Sequence, residues 1–565
     1  MKNINHIFDK NVRLYGEKAL FWYKKNTNWH SINWIDAQRE KNKLTNFLLS
    51  LNLKKSDKIA VISPNSPQWC ITDLSIMSIG AVTVPGYTTS SEDEILYLLN
   101  HSESKVAFVS SEILIKINKI SKKLLFLKHI ICFENCSLKS RKINFLNYDE
   151  VLKTPKSRKN ILSKTDSKID KKDLACIIYT SGTSSRPKGV MLSHGSILEN
   201  LYAAKTFLDD IKIKRHKFLS IIPLSHAYEH TGGFLLPLLV GGEIFFSNNR
   251  DQLLNDLQFA KPTLMVAVPR LYDVLFKRIS NGIKAKGKIT NLLFEKTLSI
   301  GKQKYNNTKI SFADKIVDML LENLIRKKIK KLFGNNLIAF ISGGAALNFN
   351  SGIFFTSLGI KILQGYGQTE CSPIISINPI NKIKIDTVGI PIPNHSVKLS
   401  KMNEILVKGP SLMKGYWKDK QSSNKTIKRG WLHTGDLGKI DKDNYISIIG
   451  RKNEMIVNSG GENIAPVPIE ELITSYDDID QAMIYGHGKP YLVALVYSSL
   501  KFKDIKSIFS NLNSKLSPEK KIRKFCLINN PFTIETSELT PTLKIKRHKI
   551  LENYSEKLER LYRRS

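Results

Sequence analysis

Between about Lys54 and Val109, short apolar runs alternate with stretches whose apolar residues recur at helical spacing: KIAVIS, then WCITDLSIMSIGA, then VTVPGY, then VAFVSS. Strands separated in this way by helices predict a mostly parallel sheet with crossover helices. Similar units follow in LACIIYTSG, FLSIIPL, LMVAVP, LIAFISGG and KILQGYG, each an apolar strand running into a turn rich in glycine, proline or hydroxyl side chains. In open α/β sheets, ligands sit at such strand ends. The basic segment from about Leu271 to Lys331 reads as amphipathic helices with a polar face. A solvated helical layer is the expectation there, with a membrane-adhering or substrate-gating surface as the alternative.

After Gly389 the texture changes to short strands with frequent turns, EILVKGP, GWLHTGDLGKI and YISIIGRK, and a charged turn spans Gly450 to Glu454. Beyond it, PVPIEELI, QAMIYGHG, YLVALVY and a basic helix-rich tail suit a smaller α+β domain. The predicted fold is α/β. A large N-terminal domain, 1–450, carries mostly parallel sheets with crossover helices and a small β-rich subdomain over about 389–450. A small α+β domain, 451–565, follows a hinge near Asn453. No internal repeat is visible.

A chain of 565 residues exceeds what one core usually organises, which agrees with two units. The net charge of +37 suggests nucleic acid at first sight, since lysine patches release counterions from phosphate backbones. The lysines are spread along the whole chain and accompany abundant Ile and Asn, so no nucleic-acid partner is expected, although the field favours anionic substrates. Cys70, Cys132, Cys136, Cys176, Cys371 and Cys526 show no CxxC spacing and read as reduced structural thiols. The N-terminus lacks an apolar signal core, and Gly232–Phe246 is too short and too broken to span a bilayer. A cytoplasmic location is expected, with peripheral contact at the inner face of the membrane left open.

The strongest chemical signal is YTSGTSSRPKGV, Tyr179 to Val190, directly after the strand LACII. Glycines let a backbone approach closely, hydroxyls and amides donate to oxygens, and Lys188 adds a cation, which together describe a phosphate cradle built on Thr180, Ser181, Gly182, Thr183 and Lys188. It is not a Walker loop, because Lys188 precedes Gly189 without the GK[ST] order.

The string resembles the phosphate-loop signature of the adenylate-forming (AMP-binding) superfamily, and further segments resemble that family in its own order over nearly the whole chain. GYGQTE, Gly365 to Glu370, resembles the segment in which a tyrosine stacks on adenine, a threonine contacts the α-phosphate and a glutamate holds magnesium. The resemblance gives those roles to Tyr366, Thr369 and Glu370, with Gly365 and Gly367 beside the nucleotide. In WLHTGDLGKID it implies that Asp436 accepts both ribose hydroxyls. In GRKNEMIVNSGGENIAP it implies a ribose contact for Arg451, a hinge at Asn453, and a coenzyme A tunnel at Ser459 and Gly460. Asn453 departs from the Asp or Lys common in relatives. LTPTLKIKR resembles the long-chain acyl type and assigns the mobile catalytic lysine to Lys544. PLSHAYEH would put His226 at the carboxylate and acyl entry, and SGGAAL would put Gly343, Gly344 and Ala345 beside the adenine and acyl slot.

The resemblance is greatest to bacterial long-chain fatty acid–coenzyme A ligases. It implies ATP, Mg2+ and coenzyme A, a fatty acid substrate, and a mobile small domain. Acyl carrier protein as acceptor is the alternative. A non-catalytic binder would be expected to lack Glu370 or Lys544, and both are present.

Overall fold

The computed structural model describes residues 2–137, 143–153, 168–180, 186–211, 213–476, 478–540 and 544–563. The described chain divides into a large unit, 2–180, 186–397 and 407–432, and a small one, 398–406 and 433–563. The fold is mixed α/β, as the alternating pattern predicts.

Among the described residues, the large unit holds two broad sheets. One has nine strands, and its centre is the parallel set Lys361–Gly367, Ala339–Ser342, Leu264–Ala267, Lys217–Ser220, Glu243–Phe246 and Ala19–Lys25. Antiparallel strands close it, Ile374–Ile377 and Ile390–Pro391 at one edge and Asn28–Asn33 at the other. The other has eight strands around the parallel set Leu174–Thr180, Val82–Pro85, Lys58–Ile62, Ser104–Val109, His129–Cys132 and Asn144–Asn147. At its edge, Lys188–Ser193 and then Gly415–Tyr416 add antiparallel.

Local chemistry explains these elements. In KIAVI the run Ile59–Ile62 is buried, as a strand covered on both faces requires. The following helix, Pro67–Ser78, begins where the Ser66 hydroxyl accepts from the Trp69 amide at 3.1 Å and Pro67 stands in the first turn. It ends at Gly80, whose φ of +70° suits glycine. Nearly every side of that helix is buried, which is why its sequence shows little amphipathic contrast.

The small unit is built on a three-stranded sheet in which Leu492–Ser498 lies between antiparallel Ile479–Tyr485 and parallel Ile522–Leu527. One face is covered by a core that includes Ile469, Ile473, Ile505 and Phe509; Ile550 and Leu558, from the helix Arg547–Arg560, pack on the other. Arg547, the first residue of that helix, donates from Nη1 to Glu470 Oε1 at 2.6 Å and from Nη2 to Oε2 at 2.5 Å, and the Ile484 amide also donates to Oε1 at 2.7 Å.

The segment from 271 to 331 is helical, but its outer surface departs from the expected polar face. Phe312, Ile316, Met319 and Leu320 are exposed along one helix.

Candidate active site

In the large unit, several residues singled out by motif lie at or just beyond strand ends. Gly343, Gly344 and Ala345 follow Ala339–Ser342; Gly365, Tyr366 and Gly367 close the strand Lys361–Gly367. Glycine is required at Gly367, where a Cβ would stand 2.1 Å from the Pro373 carbonyl oxygen; at Gly343 a Cβ would stand 3.0 Å from the Tyr228 ring, which would have to give way by a few tenths of an ångström. The Gln368 amide donates to the Tyr366 hydroxyl at 3.3 Å. His226 caps the short helix Ala227–Glu229, its Nδ1 accepting from the Tyr228 amide at 3.2 Å.

Thr180 and Lys188 face each other across the hairpin that carries the phosphate-loop motif. Ser181, Gly182 and Thr183 lie outside the described residues. Lys188 Nζ donates to Ser422 Oγ at 2.6 Å, stands 3.7 Å from Asp419 Oδ2, and lies 5.1 Å from the centre of the Tyr416 ring. The register accounts for the last contact. Tyr416 pairs with Val190, two residues along from Lys188 and therefore on the same face of the sheet. Asp419 also caps the helix Lys420–Thr426, and hydrogen bonding from the Ser422 amide is the chief reason its carboxyl stays below the usual range.

Thr369 and Glu370 sit in a single 3-10 turn after the strand Lys361–Gly367. The Met413 amide donates to the Glu370 carbonyl at 2.8 Å, and the Tyr416 hydroxyl donates to Glu370 Oε1 at 2.8 Å. Burial, with Glu370 second, pushes the Tyr416 phenol upward, so at neutral pH it is a donor. The cation of Lys188 and the carboxylate of Glu370 thus share one aromatic neighbour. Among the described residues, the Glu370 side chain has one oxygen held by a neutral donor, which leaves its other lone pairs for a hard cation. Magnesium is normally bound by one or two carboxylates together with substrate phosphates, so this donor set fits it.

Nothing in the quoted motifs marks Tyr416; its local hint is the string GYW in a lysine-rich stretch. Asn65, in PNSPQW, is a second residue whose part emerges from geometry. It donates to Ser220 Oγ at 3.0 Å and to the Ile222 carbonyl at 2.6 Å, and accepts from the Leu224 amide at 2.8 Å, fixing the loop that leads to His226.

In the small unit, Asp436 and Arg451 are partners across two paired strands, with Arg451 Nε 3.1 Å from Asp436 Oδ1. Lys544 is held to Thr540 by two hydrogen bonds, the Thr540 amide donating to its carbonyl at 2.8 Å and its own amide donating to Thr540 Oγ1 at 3.0 Å. Its side chain keeps solvent access yet is densely surrounded. Desolvation first and the Arg451 guanidinium second hold its ammonium pKa down to about 8, against the opposing pull of Asp436 and Glu454. Asp436, Arg451 and Lys544 are therefore electrostatic neighbours. Ser459 and Gly460 lie on a different exposed turn, between Ile456–Val457 and Asn463–Ile464, where the Ser459 amide donates to the Lys489 carbonyl at 2.9 Å. Asn453 is exposed in the 3-10 turn Lys452–Glu454.

The profile of the AMP-binding enzyme family matches residues 8–417, and the profile of the AMP-binding enzyme C-terminal domain matches residues 453–565. The chain belongs to the AMP-binding enzyme family. It is 28% identical to the long-chain-fatty-acid–CoA ligase FadD15 of Mycobacterium bovis, over 94% of this chain and 92% of that protein. It is also 28% identical to the chloroplastic long-chain-fatty-acid–[acyl-carrier-protein] ligase AEE15 of Arabidopsis thaliana, over 91% of this chain and 80% of that protein. The adenylation domain of a carboxylate reductase from Mycobacterium chelonae shares the fold, with a TM-score of 0.80 at 18% identity, covering 99% of this chain and 91% of that one.

Proposed function

We propose that the protein is an AMP-forming acid–thiol ligase that activates a long-chain fatty acid with ATP and transfers the acyl group to coenzyme A. Family membership supports the class, and the similarity to FadD15 supports the acyl chain and the acceptor. The observation that carries the reading is the grouping of Lys188 and Glu370 about Tyr416 beside the phosphate-loop hairpin.

In the first step a fatty acid carboxylate oxygen attacks the α-phosphorus of ATP. The bond from that phosphorus to the bridging oxygen breaks, and pyrophosphate leaves with the electron pair. Two anions must meet, so the protein's task is alignment and neutralisation of charge. Thr180, Ser181, Gly182, Thr183 and Lys188 cradle the phosphates; Tyr366 stacks on adenine, flanked by Gly343, Gly344, Ala345, Gly365 and Gly367; Thr369 contacts the α-phosphate. Asp436 and Arg451 take the ribose, His226 stands at the acyl entry, and Lys544 supplies a further cation. Glu370 would hold Mg2+, which when bound neutralises phosphate charge. In the second step a thiolate attacks the acyl carbon and AMP departs with the C–O electron pair.

The small domain turns about Asn453 in this reading, so that Lys544 serves adenylation, and Ser459 and Gly460 serve thioester formation. Location is cytoplasmic with peripheral contact at the membrane, where fatty acids partition. Acyl carrier protein is the second acceptor to weigh, because of the similarity to AEE15.

ATP–pyrophosphate exchange over a fatty acid length series, followed by thioester assays with each acceptor, tests the proposal. Maximal exchange with long chains and product with coenzyme A are expected. A maximum at acetate or aromatic acids overturns the long-chain assignment, and absence of exchange with any acid overturns the chemistry.

A further inference from the structure

One helical segment begins at Phe312–Leu321, passes a π-type turn at Glu322–Arg326 and ends with Lys327–Leu332. Phe312, Ile316, Met319, Leu320 and Leu324 are 79%, 50%, 74%, 57% and 43% exposed. Their spacing of four, three, one and four residues places them on one stripe of the helix. Five large apolar side chains presented together to water differ from the scattered exposure that ordinary surfaces show.

The charges are sorted by side. Lys315, Lys327, Lys328 and Lys331 are exposed, and among the described residues none of the four is in an ion pair. The acidic residues of the same segment are turned to other partners: Asp314 pairs with Lys296 at 2.6 Å, Asp318 with Arg326 at 2.7 Å and with Lys304, and Glu322 with Lys330 at 3.1 Å. The outer face therefore joins an apolar stripe to uncompensated lysines. On the helix Lys288–Tyr305, from which Lys296 reaches Asp314, Ile289 and Leu292 are also 79% and 72% exposed.

We propose that this face, centred on Ile316, Met319 and Leu320 and rimmed by Lys315, Lys327, Lys328 and Lys331, docks the protein on an anionic lipid bilayer. A helix lying in the interface buries its apolar stripe among acyl chains while lysines beside it meet the headgroups. Charge complementarity favours this occupant over a second copy of the chain, since self-pairing would bring the same lysines together while the acids of the stripe's own segment are already paired with other cations. The inference rests on the acyl-activating reading only for the reason to visit a bilayer, a fatty acid source; the docking itself is measurable without turnover.

The experiment is co-sedimentation of the full-length protein with phosphatidylcholine vesicles, with and without phosphatidylglycerol. The wild type binds the anionic vesicles, less as salt rises, and M319E/L320E and K327E/K328E each lower the partition coefficient by about 10-fold or more. Exchange activity with a water-soluble short acid and the helical circular dichroism stay unchanged in both variants. Should the apolar pair not fold when charged, M319W gives the same answer, because its fluorescence is quenched by brominated acyl chains when the stripe inserts. Equal vesicle binding by wild type and variants overturns the proposal. So does a vesicle-free dimer that M319E abolishes, or saturable capture of an acidic protein partner with no affinity for lipid. Vesicle binding through the patch in a protein that adenylates no acid leaves the docking intact and removes the functional reading instead.

Discussion

The Tyr416 phenol donates to Oε1 of Glu370 at 2.8 Å while its ring lies 5.1 Å from the ammonium of Lys188. One side chain thereby orients the carboxylate proposed for magnesium and packs beside the cation proposed for phosphate. Partners that hold a metal-binding carboxylate typically contribute about 10-fold to 100-fold in metal affinity or activity. Tyr416→Phe keeps the ring and removes the donor. The half-saturating magnesium concentration in ATP–pyrophosphate exchange should rise by about 10-fold, with the fatty acid KM little changed. An unaltered magnesium titration would show that the hydrogen bond does not support the metal site.

Much of this arrangement is legible in sequence, and the limit is physical. Unbroken apolar runs such as LACII and LIAFIS declare buried strands because both faces are covered, and the turns that follow them carry the motif residues. Tyr416 is different in kind. Its position depends on a two-residue strand pairing with Lys188–Ser193 from more than two hundred residues away, a contact that local periodicity cannot register. The exposed stripe on Phe312–Leu321 escapes for a related reason. Its apolar residues recur at helical spacing as core residues would, and only the packed structure reveals that none of the described residues covers this face.

Arg547 and Glu470 tie the start of the last helix to the small sheet through two hydrogen bonds, with side chains 16% and 9% exposed. Arg547→Met leaves the Glu470 carboxylate without its cation and should destabilise the small unit by about 3–5 kcal/mol; adding Glu470→Met should recover most of that loss. All six tryptophans precede residue 433, so fluorescence reports on the large unit alone. Hydrogen exchange should accelerate in Pro466–Thr474 and Arg547–Arg560 while the tryptophan transition stays in place. Unchanged exchange in both helices would remove the pair from the account of stability.

Glu229 is fully buried beside His230 in the segment after His226, and burial pushes its carboxyl up to about 8. The Ser220 hydroxyl exerts a weaker, lowering influence, and among the described residues neither carboxyl oxygen has a partner at hydrogen-bond geometry. The folded protein therefore keeps a proton that the unfolded chain releases near pH 4.5. This contribution is complete below that pH and is lost as pH rises toward 8, with a slope of at most about 1.4 kcal/mol per pH unit. Glu229→Gln mimics the protonated form, so thermal melts from pH 5 to pH 8.5 should fall less steeply for the variant than for the wild type. Parallel profiles would mean that Glu229 is ionised in the fold.

Lys544 titrates at about 8 because it is crowded and stands near Arg451, so its charged fraction falls as pH rises through 8 and not near 10.5. Its remaining solvent access makes the amine reachable by an acylating reagent. In nucleotide-free protein the labelling rate of Lys544, followed by mass spectrometry, should reach half its maximum near pH 8. Arg451→Ala removes the like charge and should move that midpoint upward, whereas Arg451→Lys should leave it nearly in place. ATP should move it upward as well, since phosphate favours the ammonium form. The alkaline limb of the adenylation rate would then follow the nucleotide-bound value. A midpoint above pH 10 in the free protein would mean that Lys544 is an ordinary solvated lysine. Its place beside Asp436 and Arg451 would then carry no electrostatic consequence for catalysis.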